Sequence, residues 1–202
     1  MSILRTTEKA RGDPKRERIL EGAKQVFLTY GYSRTTMDDI ARATEISRPA
    51  LYLQFRNKAD IFRAVGQVFL DESLAGALEA LREDAPLGNR LIKALDRGLF
   101  QLFHIIEDSP HGDELVDVEN QIAADIVSAW RENLVEAFTQ AIAEEAGRRG
   151  IQLEDRNLSA PLLADMLFGI LDGLKLRGLC GTHARDYSCK FVTLIELALA
   201  RG

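Results

Sequence analysis

The residues best equipped for chemistry lie close together, in TMDDIARATEISRPALYLQF at positions 36–55. Arg48 carries a planar donor fork that pairs bidentately with the edge of guanine, and the amide of Gln54 matches adenine. Pro49, Ala50 and Leu53 are apolar groups of the kind that pack on thymine methyls. Thr36, Tyr52 and, just beyond, Lys58 suit phosphate oxygens, as do the free N–H groups at helix starts. Ser47, at the head of the second half of this stretch, is counted with them. The chemistry on offer is recognition of double-stranded DNA rather than bond-making.

Catalytic alternatives are poorly supplied. The three histidines are His104, His111 and His183. A helical di-metal site needs Glu-x-x-His pairs on facing helices, and none occurs. Asp108 and His111 stand three apart with Pro110 between them. Cys180, His183 and Cys189 come nearest to a zinc pattern, but only Asp186 remains as a spare ligand. Neither a glycine-rich phosphate loop nor a nucleophile elbow appears. The expectation is no enzyme, no metal and no cofactor.

For the DNA-facing side chains to act together, two short helices and a tight turn must position them. Thr36 can cap the first, with Asp39 at N3 as an acidic capping box. That helix runs roughly from Met37 to Thr44, with Ile40 and Ala41 facing inward. Glu45 and Ile46 form the turn. Ser47 caps the next helix, which runs to about Phe55 and tolerates Pro49 in its first turn. At 100° per residue Leu51 and Phe55 share the inward side, with Ser47 beside them. Pro49, Ala50, Tyr52 and Leu53 lie opposite, an apolar exposure that calls for a partner.

A preceding helix starts at Asp13 and Pro14, a cap and an N1 proline. Ile19, Ala23, Val26, Phe27 and Tyr30 form its stripe, and Gly31 ends it. Asn57 caps a fourth helix, with Asp60 at N3 and Ile61, Phe62, Val65, Val68 and Phe69 along it to about Glu83.

Residues 18–62, RILEGAKQVFLTYGYSRTTMDDIARATEISRPALYLQFRNKADIF, resemble the N-terminal domain of TetR-family transcriptional repressors. The resemblance rests on Phe27, Gly31-Tyr32, Thr35-Thr36, Asp39-Ile40-Ala41, Ile46-Ser47, Leu51-Tyr52, Phe55 and Lys58, in order and spacing. It covers about a quarter of the chain. Three positions depart from the family's pattern. Glu45 stands where the family usually has Gly, which asks either for a non-glycine residue at positive φ or for a slightly different turn geometry. Pro49 replaces a small residue, and Leu53 replaces an aromatic residue or His. The resemblance implies a homodimer that binds a palindromic operator and is released by a small molecule held in the C-terminal body.

Composition agrees with such a protein. The 202 residues are 46% hydrophobic and 28% charged, as in a globular chain. No stretch longer than nine residues lacks Asp, Glu, Lys or Arg, which excludes a membrane-spanning helix. The first residues have no apolar signal region, and two cysteines make no disulfide framework, so a reducing cytoplasm is expected. Residues 1–63 carry thirteen Lys+Arg against eight Asp+Glu, and the remainder carries thirteen against twenty-three. A basic head on an acidic body suits a head that meets a polyanion.

Beyond the breaks at 84–89 and 108–113, helices are expected over 90–106, 117–147, 158–179 and 184–200. The fold expected is all-α with about nine helices. Residues 1–12 would be a flexible arm, 13–56 a three-helix helix-turn-helix DNA-binding domain, and 57–202 an effector-binding and dimerisation domain.

In that body, a pocket for a largely hydrophobic effector would draw on Phe69, Phe100, Phe103, His104, Trp130, Asn133 and Phe138. Leu163, Met166, Leu167, Ile170 and Leu174, with Phe191, Ile195 and Leu199, would form the dimer interface as half of a four-helix bundle. Gly169 and Gly173 would permit close backbone approach there. Three other readings stay open: a helical ligand- or protein-binding module that reads no DNA, a metal-dependent helical enzyme, and a DNA-binding regulator that activates rather than represses transcription.

Overall fold

A computed structural model describes residues 13–177 and 181–200. Among them the regular elements are all helical, nine helices in chain order. α1 spans Pro14–Tyr30, α2 Met37–Ala43, α3 Arg48–Gln54 and α4 Lys58–Leu81. α5 is one rod made of α-helix Leu87–Leu95, a π-helical turn Asp96–Phe100 and α-helix Gln101–Glu107. α6 spans Gly112–Ile122, α7 Ala124–Arg149, α8 Ala160–Leu176 and α9 Gly181–Ala198, with a 3₁₀ turn at Leu153–Arg156. Residues 1–12, expected as an arm, and Cys180 lie outside the described residues.

The helices gather into two compact units. One, the head, contains residues 13–69 and 105–126; the other, the body, contains 70–104 with 127–177 and 181–200. Residues 105–126, assigned to the body by chain order, thus join the head.

The head core is built by α1, α2, α3, the start of α4 and α6. Ile19, Ala23, Phe27, Ile40, Leu51, Phe55, Ile61 and Leu115 are its buried centre. Phe27, Tyr32 and Phe62 form an aromatic triad, with Phe62 edge-on to the other two at 5.2 and 5.1 Å between centroids.

The helix expected over 117–147 is two helices. α6 begins at Gly112, and the chain breaks at Ala123 before α7. No Gly or Pro marks that break. Its cause is long-range: Arg63 on α4 donates to the carbonyl of Ile122 at 2.9 Å and grips the carboxylate of Asp125. One guanidinium thereby satisfies an orphan carbonyl at the end of α6 and a carboxylate in the first turn of α7. The guanidinium also holds the Asp125 carboxyl down at about 2.

In the body, Leu91, Leu95, Leu134, Phe138, Ile142, Leu167 and Ile195 pack one core. The π-helical turn in α5 was not legible in the sequence. Beside it, the Ser73 hydroxyl donates to the Gly98 carbonyl at 2.5 Å and accepts from the Trp130 indole N–H at 3.0 Å. Buried Arg90 donates to the Leu81 carbonyl at 2.8 Å and to Glu145 at 3.2 Å, closing the end of α4 and pairing its own charge.

Candidate nucleic-acid interface

The interface is built on the order in which α1, the α2 turn and α3 lock together. α1 starts where the sequence places it. The Asp13 side chain accepts the Lys15 N–H at 3.0 Å, with Pro14 at the first helical position. It ends at Gly31, whose φ of 77° is a conformation that favours glycine. The Thr35 hydroxyl donates to the Gly31 carbonyl at 2.6 Å and fixes the exit.

α2 carries the capping box in full. Asp39 N–H donates to the Thr36 hydroxyl at 3.2 Å, and Thr36 N–H donates to the Asp39 carboxylate at 2.9 Å. The Thr36 bonds, reinforced by Arg42, hold the Asp39 carboxyl below its usual range.

The turn that follows puts Glu45 at φ 52°, the positive value that a non-glycine residue there requires. What holds it is Arg18 on α1. Its Nε donates to the Thr44 carbonyl at 2.8 Å, and Nη2 reaches the Glu45 carbonyl at 3.3 Å. Gly22, one turn further along α1, allows the approach: a Cβ there would stand 2.4 Å from the Thr44 methyl. Neither Arg18 nor Gly22 stood out in the sequence, because their role depends on contacts more than twenty residues away.

α3 then presents two faces. Leu51 and Phe55 are buried, whereas Leu53 is 84% exposed and Tyr52 44% exposed. Arg48, Pro49 and Ser47 are exposed, and Ala50 is half-buried. The exposed Ser47 makes no side-chain capping bond, so the expected serine cap is a backbone cap only. Arg48 Nη1 donates to Asp38 Oδ2 at 3.0 Å, and its guanidinium lies 5.6 Å from the Tyr52 ring centre. Those two partners raise the Arg48 pKa, Tyr52 more than Asp38. Gln54 is half-buried on the flank, lining a cleft of about 250 Å³ with Arg16, Phe55, Asp60, Arg63, Ala64 and Gln67.

Lys58, expected at a phosphate, has backbone partners within the head. Its ammonium donates to the carbonyls of Tyr32 at 2.6 Å and Thr35 at 2.8 Å, and sits 4.1 Å from the Tyr32 ring centre. A cation at a helix N-terminus is disfavoured by the dipole, and carbonyls past the end of α1 offer a better site. Burial pulls the Lys58 pKa down, partly countered by Glu114. Lys58 therefore ties α4 to the loop that leads into α2. On the same loop, Glu114 of α6 accepts the Ser33 N–H at 2.7 Å, which with His111 and Arg34 keeps its carboxyl low. At the start of α4, Asn57 caps through Oδ1, which accepts the Asp60 N–H at 2.9 Å.

The expected effector set divides. Phe100 and Phe138 are buried in the body core, where Phe138 meets Phe168 edge-on at 5.3 Å. Phe103 and Trp130 are half-buried against that core. Phe69 instead packs on the head core under the Lys24 ammonium, 5.3 Å away. His104 and Asn133 are exposed, and Asn133 donates to the Ala129 carbonyl at 2.8 Å.

The expected dimer set needs correction. Leu163, Leu167, Leu174, Phe191, Ile195 and Leu199 are buried within the body of a single chain. Ile170 is half-buried and Met166 is exposed. Among the described residues, the large apolar side chains left outside on α8 and α9 are Leu162, Met166, Tyr187, Leu194 and Leu197. A Cβ at Gly169 or Gly173 would meet nothing within 4 Å. Both helices are apolar on two sides, and a sequence stripe does not say which side its own core takes.

Among the described residues no cluster of three or more His, Cys, Asp and Glu is placed to hold a metal ion, and no helix is long and apolar enough to cross a membrane.

The profile of the family described as bacterial regulatory proteins, tetR family, matches residues 19–65. The HTH-type transcriptional regulator TtgR of Pseudomonas putida is 30% identical over 190 residues, 88% of this chain and 85% of that one. The HTH-type transcriptional activator FasR of Mycolicibacterium smegmatis is 30% identical over 136 residues, 67% of this chain and 60% of that regulator's length. Among solved structures, the TetR family transcriptional regulator PfmR from Thermus thermophilus superposes with a TM-score of 0.60 at 21% identity, covering 91% of this chain and all of that one.

Proposed function

The chain belongs to the TetR family of DNA-binding transcriptional regulators, and from that premise we propose that it is a repressor. Two copies would pair and set their α3 helices in successive major grooves of a palindromic operator. A small, largely hydrophobic effector in the body would release them. The observation that carries this reading is the sidedness of α3, anchored by Leu51 and Phe55 while Arg48, Pro49, Tyr52 and Leu53 face out. Repression needs nothing more than occupancy, since a protein lying on a promoter excludes polymerase.

Two chains are required by geometry. Half-sites on one face of DNA lie about 34–36 Å apart, farther than one seven-residue helix reaches. The face that supports pairing is the outer stripe of α8, with Leu162, Met166, Gly169 and Gly173 at i, i+4, i+7 and i+11, together with Tyr187, Leu194 and Leu197 on α9. The half-buried aromatic groups Phe103 and Trp130 support an apolar effector.

Selection from a random duplex pool tests the DNA reading; the expected product is an inverted repeat with half-sites one helical turn apart, and enrichment of no sequence sinks it. Replacing Leu194 and Leu197 by Asp should leave helicity intact, give a monomer by light scattering and abolish operator binding. A panel of alkyl and aryl compounds, read by release of the selected duplex, tests the effector.

A further inference from the structure

Asp38 is the second residue of α2 and Arg48 the first residue of α3. Their ion pair is the one polar link between the outer surfaces of the two helices among the interactions described above. The place of Asp38 in the first turn of α2 is one that the helix dipole favours for a carboxylate. Capping of α2 is done by Asp39, which also takes Arg42, so Asp38 is not needed to start the helix. Both side chains are 55% exposed, and an ion pair at that exposure adds little to stability. A negative charge beside the outward face of α3 also repels phosphates. What it does accomplish is to fix the guanidinium from one side, with the Tyr52 ring on another.

We infer that Asp38 is a positioning residue for base readout, holding the Arg48 fork so that one G·C pair in each half-site is recognised. This rests on the reading of α3 as the helix that enters the groove. An arginine has five N–H donors in a rigid plane, and one is used on Asp38. The others suffice for guanine O6 and N7.

The complementarity goes further than the guanine. Across the major groove a G·C pair presents two acceptors on guanine and then the N4 amine donor of cytosine. Arg48 beside Asp38 presents donors followed by an acceptor. An A·T pair presents acceptor, donor, acceptor, so the adenine amine would face the guanidinium and thymine O4 would face the carboxylate. An untethered arginine still matches guanine but discriminates less sharply, because its long side chain can swing to a phosphate or to the neighbouring step.

The test compares full-length wild type with Asp38→Ala, Asp38→Asn and Arg48→Ala in selections from one random duplex pool. Affinities for the enriched duplex and its single-base variants are then measured. Arg48→Ala identifies the position that Arg48 reads. At that position wild type should prefer G·C by about tenfold or more. Asp38→Ala should remove most of that preference while binding unrelated duplexes more tightly, because a charge repelling phosphates is gone. Asp38→Asn, which keeps an acceptor, should restore part of it. A purely structural or purely electrostatic role moves all sequences together. An unchanged base profile in Asp38→Ala, or a position read by Arg48 that does not favour G·C, overturns the inference. Failure of wild type to enrich any duplex instead removes the reading of α3 on which it stands.

Discussion

In the head, the caps and inward anchors of α2 and α3 have local reasons for their places, although Arg18, Lys58 and Arg63 tie distant segments together; in the body, the facing of α8 and α9 is decided by helices far along the chain. The α2–α3 segment is short, and its signals lie within a few residues: Thr36 with Asp39, Leu51 with Phe55, Asn57 with Asp60. The body helices α8 and α9 carry more apolar residues than one face can use. Which face is inside is decided by the partners it meets, such as Phe138 against Phe168. Short helices bounded by specific caps thus reveal their orientation, and long apolar ones conceal it.

The strongest way to break this comparison is to truncate anchors in each unit. Leu51→Ala and Ile195→Ala both empty fully buried sites, and each should cost about 2–5 kcal/mol in urea unfolding. Leu53→Ala should leave stability within about 0.5 kcal/mol yet weaken operator binding. Equal melting losses for Leu51 and Leu53 would mean that α3 has no outer face.

Lys58 sharpens the comparison within the head. Lys58→Ala leaves carbonyls of the α1–α2 loop without their donor and should cost about 1–3 kcal/mol. A residue that served phosphates alone would leave the unfolding midpoint unchanged and lower the salt slope of DNA binding by about one.

Glu45→Gly probes the turn. A non-glycine residue at φ 52° bears a steric cost of roughly 1 kcal/mol, and glycine removes it. The variant should melt slightly higher, unless the Arg18 bonds to the turn loosen in response; a lower midpoint would show that those bonds depend on the glutamate.

The smallest effect concerns Arg63 and Asp125. The Asp125 carboxyl titrates near 2 in the folded chain against an ordinary 3.8. A depressed folded value stabilises above the unfolded value and is lost as pH falls through the folded one. The stability advantage of wild type over Asp125→Asn should therefore be full above about pH 4 and fade toward pH 2. An advantage independent of pH in that window would assign the break at Ala123 to something other than this ion pair.

Much of the fold was readable, and so was the outer face of α3, because both follow from helical periodicity and capping. The break at Ala123 escaped because the residue that makes it, Arg63, lies about sixty positions earlier. The backbone partners of Lys58 were not legible, because an exposed lysine and a lysine sharing backbone carbonyls look identical in sequence. Arg18 and Gly22 were missed for the same reason, since their work is done on Thr44 and Glu45.

The amino-acid order by itself determined the helical class, the helix-turn-helix and the caps at Thr36 and Asn57, for these depend on residues within one or two turns of each other. Only the tertiary structure decided that residues 105–126 belong to the head, that Lys58 serves the backbone, and that Leu163, Leu167 and Ile195 lie inside while Leu162, Leu194 and Leu197 lie outside. Hydrophobic burial has no direction of its own. Periodicity shows that a helix has an apolar side, and the neighbours it packs against select which one is covered.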